Sequence, residues 1–66
     1  MTNISIKELR QKTGLSQSKF AAKFNIAPIN ISHWETGVST PPPYVIFMME
    51  KIINLEEKVE FLENNF

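Results

Sequence analysis

The stretch Gln17-Ser-Lys-Phe20-Ala21-Ala-Lys-Phe24-Asn25-Ile26-Ala-Pro28-Ile-Asn-Ile31-Ser-His-Trp34-Glu-Thr36 decides the fold. Phe20, Ala21 and Phe24 recur at helical spacing and form one apolar stripe. Ser16 stands before them as an N-cap. Asn25 tolerates a left-handed backbone better than any residue except glycine, so it ends the stripe. Ile26 opens a short linker. Pro28 then suits the first position of a second helix, where a missing N–H costs nothing. Ile31 and Trp34 share one face of that helix, and Gly37 closes it. Two short helices so close in sequence cross at roughly 90–120° over a tight turn. The small Ala21 sits where the two must approach. Phe20, Phe24, Ile26, Ile31 and Trp34 are the expected core.

Working outward, Ser5-Ile6-Lys7-Glu8 is a capping box, with Ser5 as cap and Glu8 reaching back. It starts a helix of about Ile6 to Thr13, which Gly14 stops. Beyond Gly37, Thr40-Pro41-Pro42-Pro43 is a stiff extended connector, because each residue before a proline is pushed out of the helical region. Pro43 can open a fourth helix that runs to Asn64 without internal glycine or proline. The fold class is therefore all-α: a compact bundle of three short helices plus one long C-terminal helix. Residues 1–43 form one region. Residues 44–66 form another, whose first half docks on the bundle through Ile46, Met49 and Ile53.

Sixty-six residues make one domain near the lower limit for an unaided core. The chain has no cysteine, which excludes a disulfide or thiolate zinc site, and its single histidine, His33, cannot build a metal site alone. No metal and no cofactor are expected. No nucleophile–base pair is encoded either, so an enzyme is not expected, and Ser16 reads as a cap. No apolar run approaches the ~20 residues of a membrane span. The Met1-Thr-Asn-Ile-Ser5 start lacks the basic and apolar regions of a signal peptide, so a cytoplasmic protein is expected. The zero net charge hides a split. Residues 1–43 carry +3 from Lys7, Arg10, Lys12, Lys19 and Lys23 against Glu8 and Glu35. Residues 44–66 carry −3 from Glu50, Glu56, Glu57, Glu60 and Glu63 against Lys51 and Lys58. Such a split points one half at polyanions and keeps the other away.

Leu9-Arg10, Gly14-Leu15-Ser16-Gln17, Phe20-Ala21 and Ile31-Ser32-His33-Trp34-Glu35-Thr36-Gly37 together resemble the phage repressor and Cro family, also called XRE-like, over about residues 4 to 42. The resemblance implies a helix-turn-helix that binds double-stranded DNA. It implies that Gln17 holds a phosphate at the start of the second helix, and that Arg10 pairs with Glu35 while facing the DNA backbone. Ser16, Lys19 and Ala27 join the phosphate set, and Lys23 lies on the same helix. The third helix would lie in the major groove and read bases with Pro28, Ile29, Asn30, Ser32 and His33. Asn bonds adenine in a bidentate way and an apolar side chain touches the thymine methyl, so A·T-containing sites are favoured. The family's reading face is often rich in Gln, Arg or Lys, and this one is not. One long helix also stands where the family usually has two, so the carry-over stops near Pro42.

Val45, Met48, Ile52, Leu55, Val59, Leu62 and Phe66 are spaced as a heptad seam, with a at Val45, Ile52, Val59 and Phe66 and d at Met48, Leu55 and Leu62. β-branched residues at a with Leu at d favour two parallel strands. Lys51 and Lys58 fall at g, Glu56 and Glu63 at e. In a parallel pair each g lysine faces the e glutamate five residues later on the other chain. An antiparallel pair would set like charges together. The expected partner is a second copy, through Ile52, Leu55, Val59, Leu62 and Phe66. The function these features support is a repressor-like transcriptional regulator of a mobile element or phage, acting in a bacterial or phage-infected cell and binding a palindromic operator as a homodimer. The alternative is an antitoxin or inhibitor that binds a partner protein through its acidic C-terminal helix.

Overall fold

A computed structural model of the chain describes residues 4–64. Four helices follow one another: α1 (Ile6–Thr13), α2 (Gln17–Lys23), α3 (Pro28–Thr36) and α4 (Pro43–Asn64). The fold is all-helical among the described residues. Local chemistry sets each boundary. The Ser5 hydroxyl accepts the Glu8 N–H at 3.1 Å and itself donates to the Glu8 carboxylate at 3.2 Å, so Glu8 reaches back to the cap's side chain. Gly14 closes α1 at φ 73°, its N–H on the Gln11 carbonyl. Ser16 Oγ accepts the Lys19 N–H at 3.2 Å to open α2. Asn25 takes φ 56° one residue beyond the Phe24 C-cap, and the Ile26 N–H returns to the Ala21 carbonyl at 2.9 Å. This residue makes the turn between α2 and α3. Pro28 leads α3, and Gly37 ends it at φ 82°.

Every helix contributes to the core. Ile6 and Leu9 enter from α1, Phe20 and Ala21 from α2, Ile31 from α3, and Met49 and Ile53 from α4. Leu9, Phe20 and Ile31 are fully buried, and burying side chains of this size contributes about 1.5–3 kcal/mol each. Ala21 is fully buried, as a close crossing of α2 and α3 requires. Phe24, Ile26 and Trp34, expected in the core, lie half-buried at its edge. Helical spacing gave their direction. Their depth depends on how far the other elements reach over them. Phe24 still meets Phe20 edge-on, with ring centroids 5.0 Å apart.

The first half of α4 crosses α1 and supplies Met49 and Ile53, with Val45 and Ile46 packed beside them. Two polar tethers hold its middle. Lys12 Nζ donates to Asn54 Oδ1 at 3.0 Å and lies 3.9 Å from Glu57. Lys23 Nζ bonds Glu56 Oε2 at 2.6 Å. From Asn54 to Asn64 each residue is exposed. The 22 residues of α4 at 1.5 Å each give roughly 33 Å of helix, a large part of the 44 Å long dimension of the molecule. Among the described residues no helix is long and apolar enough to cross a membrane.

Candidate nucleic-acid interface

Glu35, near the end of α3, organises the polar side of the bundle. Its side chain is only 4% exposed. Arg10 grips it from α1 in a two-pronged bond, Nε to Oε2 at 2.6 Å and Nη2 to Oε1 at 3.1 Å. Gln17, the first residue of α2, donates Nε2 to Oε1 at 3.2 Å. One carboxylate thus ties α1, α2 and α3 together. Arg10 Nη1 adds a bond to the Leu15 carbonyl at 3.1 Å, fixing the α1–α2 loop. The bonds from Arg10 hold the Glu35 carboxyl below the usual glutamate range, against the opposing effect of burial; the Gln17 bond helps. The same pairing raises Arg10 above its ordinary value. Among the described residues no buried side-chain nitrogen or oxygen lacks a partner.

The network changes what the two phosphate candidates have left to offer. Arg10 uses three of its five N–H donors inside the chain, and its side chain is 20% exposed. Gln17 is half-buried and keeps one amide N–H beyond its bond to Glu35. The Gln17–Glu35 bond has no local signal in the sequence, which points Gln17 at phosphate alone. Ser16, Lys19 and Ala27 are exposed, and Lys19 makes no ion pair among the described residues. Lys23 differs from Lys19 on the same helix. It turns to Glu56 and stands 5.9 Å from the Phe24 ring, so it faces α4.

α3 presents a narrower tip than its sequence suggested. Ala27, Pro28, Ile29 and Asn30 are exposed, with Ile29 at 58%. Ser32 and His33 are half-buried, which limits them as base-reading residues. Ile31 is fully buried directly behind the tip. Within the face expected to read bases, exposure therefore concentrates in the first turn of α3: one amide side chain among small and apolar ones, with no charge.

The sequence of the chain matches the Helix-turn-helix family model over residues 6–59. The chain belongs to this helix-turn-helix family, of the XRE-like kind. It is a DNA-binding regulator, in a family that is typically non-enzymatic. The match corrects the extent read from sequence. It runs well past Pro42 and takes in most of α4, consistent with Met49 and Ile53 lying in the core. No curated protein and no solved structure gave a match.

The proposed pairing face of this helix-turn-helix protein lies on α4, away from its core-facing side. Met48, Ile52, Leu55, Val59 and Leu62 are 54%, 40%, 63%, 46% and 43% exposed. Val45, the first a position, packs against the core instead, and Phe66 lies outside the described residues. Lys58 and Glu63 are exposed and make no ion pair among the described residues. Glu56, assigned to an interchain pair with Lys51, is instead bonded to Lys23 of its own chain. Its position on the helix faces the body closely enough for Lys23 to reach it. Lys51 lies over the Phe47 ring at 5.4 Å.

Proposed function

We propose that this regulator is a repressor that binds a palindromic operator as a homodimer, with α3 of each copy in the major groove and α2 against the backbone. The observation that carries the reading is the α3 tip. Ala27, Pro28, Ile29 and Asn30 stand in solvent while Ile31 and Glu35 anchor the same helix to the bundle. A rigid helix with an exposed, uncharged end is suited to base edges. Asn30 would bond adenine and Ile29 would meet a thymine methyl. Ser16, Gln17 and Lys19 would then lie along the phosphates, with Arg10 contributing through the donors it has left.

One such helix reads only a few base pairs, and two copies related by a two-fold axis double the site. The five exposed apolar residues on α4 support a second copy as the partner, with Lys58 of each chain facing Glu63 of the other. The test is selection of bound duplexes from a random pool, followed by sequencing. Two A·T-containing half-sites in inverted order are expected, about 34 Å or one turn apart. A pool with no enriched sequence would overturn base reading. A single unpaired half-site would overturn the dimeric reading. A promoter fusion carrying the selected site should lose transcription when the protein is expressed, and increased transcription would make it an activator.

A further inference from the structure

A notch of about 180 Å³ lies between the α2–α3 turn and the start of α4, walled by Phe24, Ile26, Val45, Met48, Met49 and Ile52, and lined also by the chain's own Tyr44. The walls are predominantly apolar. An apolar cavity of about 150 Å³ takes up a benzene ring in other proteins, so the notch has room for one aromatic side chain. It is continuous with the pairing face, because Met48 and Ile52 belong to both.

We propose that the notch is a socket for the Tyr44 ring of a second copy. The inference rests on the homodimeric reading above and deepens it. The register selects the residue. In a parallel pair each g position faces the e position five residues later on the partner. Tyr44 is a g position one heptad before Lys51, and five residues on lies Met49, an e position in the notch wall. The rule that sets Lys58 against Glu63 thus sets Tyr44 against Met49. Tyr44 is 65% exposed in the single chain. The remaining pair of this series, Lys51 with Glu56, is weakened because Lys23 already holds Glu56. The interface then has an aromatic anchor at the end near the DNA-binding body and an ion pair at the far end. An aromatic ring in a desolvated pocket is the usual form of a strong interface contact. Two short heptads are marginal alone, and the socket supplies what they lack. It also grips Phe24 and Ile26, which flank the turn leading into α3. Pairing would therefore fix the angle between the two reading helices.

Sedimentation of Tyr44→Ser and Tyr44→Phe against wild type tests the socket. Tyr44→Ser is expected to raise the dimer dissociation constant at least tenfold and Tyr44→Phe to restore it. The thermal transition of the dilute monomer should be unchanged in both. The chain has no cysteine, so Tyr44→Cys and Ile26→Cys each carry one thiol. Mixed and oxidised, they are expected to form the 26–44 disulfide. If wild type dimerises and Leu55→Glu with Leu62→Glu abolishes the dimer, but Tyr44→Ser binds like wild type and the mixed disulfide is absent, the dimer stands and the socket is overturned. A wild type that is monomeric at tens of micromolar overturns both, and leaves the notch to a different protein.

Discussion

At the scale of single residues, Glu35 carries more than its place at the end of α3 suggests. Its side chain is 4% exposed and receives bonds from two other helices. Hydrogen bonds to a charged group contribute about 1.5–3 kcal/mol each, and leaving one partner buried and unpaired costs comparably. Glu35→Ala should therefore lower unfolding stability by about 2 kcal/mol, a large share for a domain this small. The pH dependence has a definite sign. The Arg10 bonds lower the folded-state pKa of Glu35. Its contribution is complete above the ordinary glutamate range and is lost as pH falls through the folded value. Urea unfolding at a series of pH values should show wild type losing stability on acidification, with a shallower loss in Glu35→Gln. Equal acid sensitivity in the two proteins would mean that other carboxylates govern that limb.

At the scale of elements, α2 and α3 should fail in different ways. Gln17→Ala removes the proposed phosphate contact and a tie to Glu35, so it should weaken binding to all sequences alike. Asn30→Ala should relax preference at one base position by about 1–3 kcal/mol and leave the rest of the site intact. Binding assays against single-base variants of the selected site separate the two, and uniform weakening from Asn30→Ala would remove it from the reading face. The elements themselves were legible in the sequence because their signals are local. The Ser5 and Ser16 caps, Gly14, Asn25, Pro28 and Gly37 each act within four residues and each marks a boundary in the structure. What was missed joins distant residues. Gln17 to Glu35, Lys23 to Glu56 and Lys12 to Asn54 span 18, 33 and 42 residues. The first exists because of how α2 meets α3, and the other two because α4 lies against the body at one particular angle, which no periodicity encodes. For the same reason Trp34, Ser32 and His33 had a face but not a depth.

At the scale of the whole molecule, the two signs of charge meet where α4 crosses the body. Lys12 and Lys23, two of the five basic residues of the first region, are engaged by Glu57, Asn54 and Glu56. Lys19 is the better candidate for phosphate. Each such contact releases counterions and adds about 0.9 to the slope of log affinity against log salt. Lys19→Ala should reduce that slope by about 1, whereas Lys23→Ala should leave it unchanged. Titrations at several salt concentrations decide between them, and the opposite pattern would place the DNA on the other face of α2. The overhanging turns of α4 have a further consequence. From Asn54 onward no described side chain is buried, and helix without packing opens readily. In a dilute solution of single chains, the amide protons of residues 57–63 should therefore trade with deuterium almost as fast as in an unfolded peptide, while those of α1 wait for the whole body to open. As protein concentration rises, the slowing of exchange in these turns alone would measure how much of the chain has found its mate.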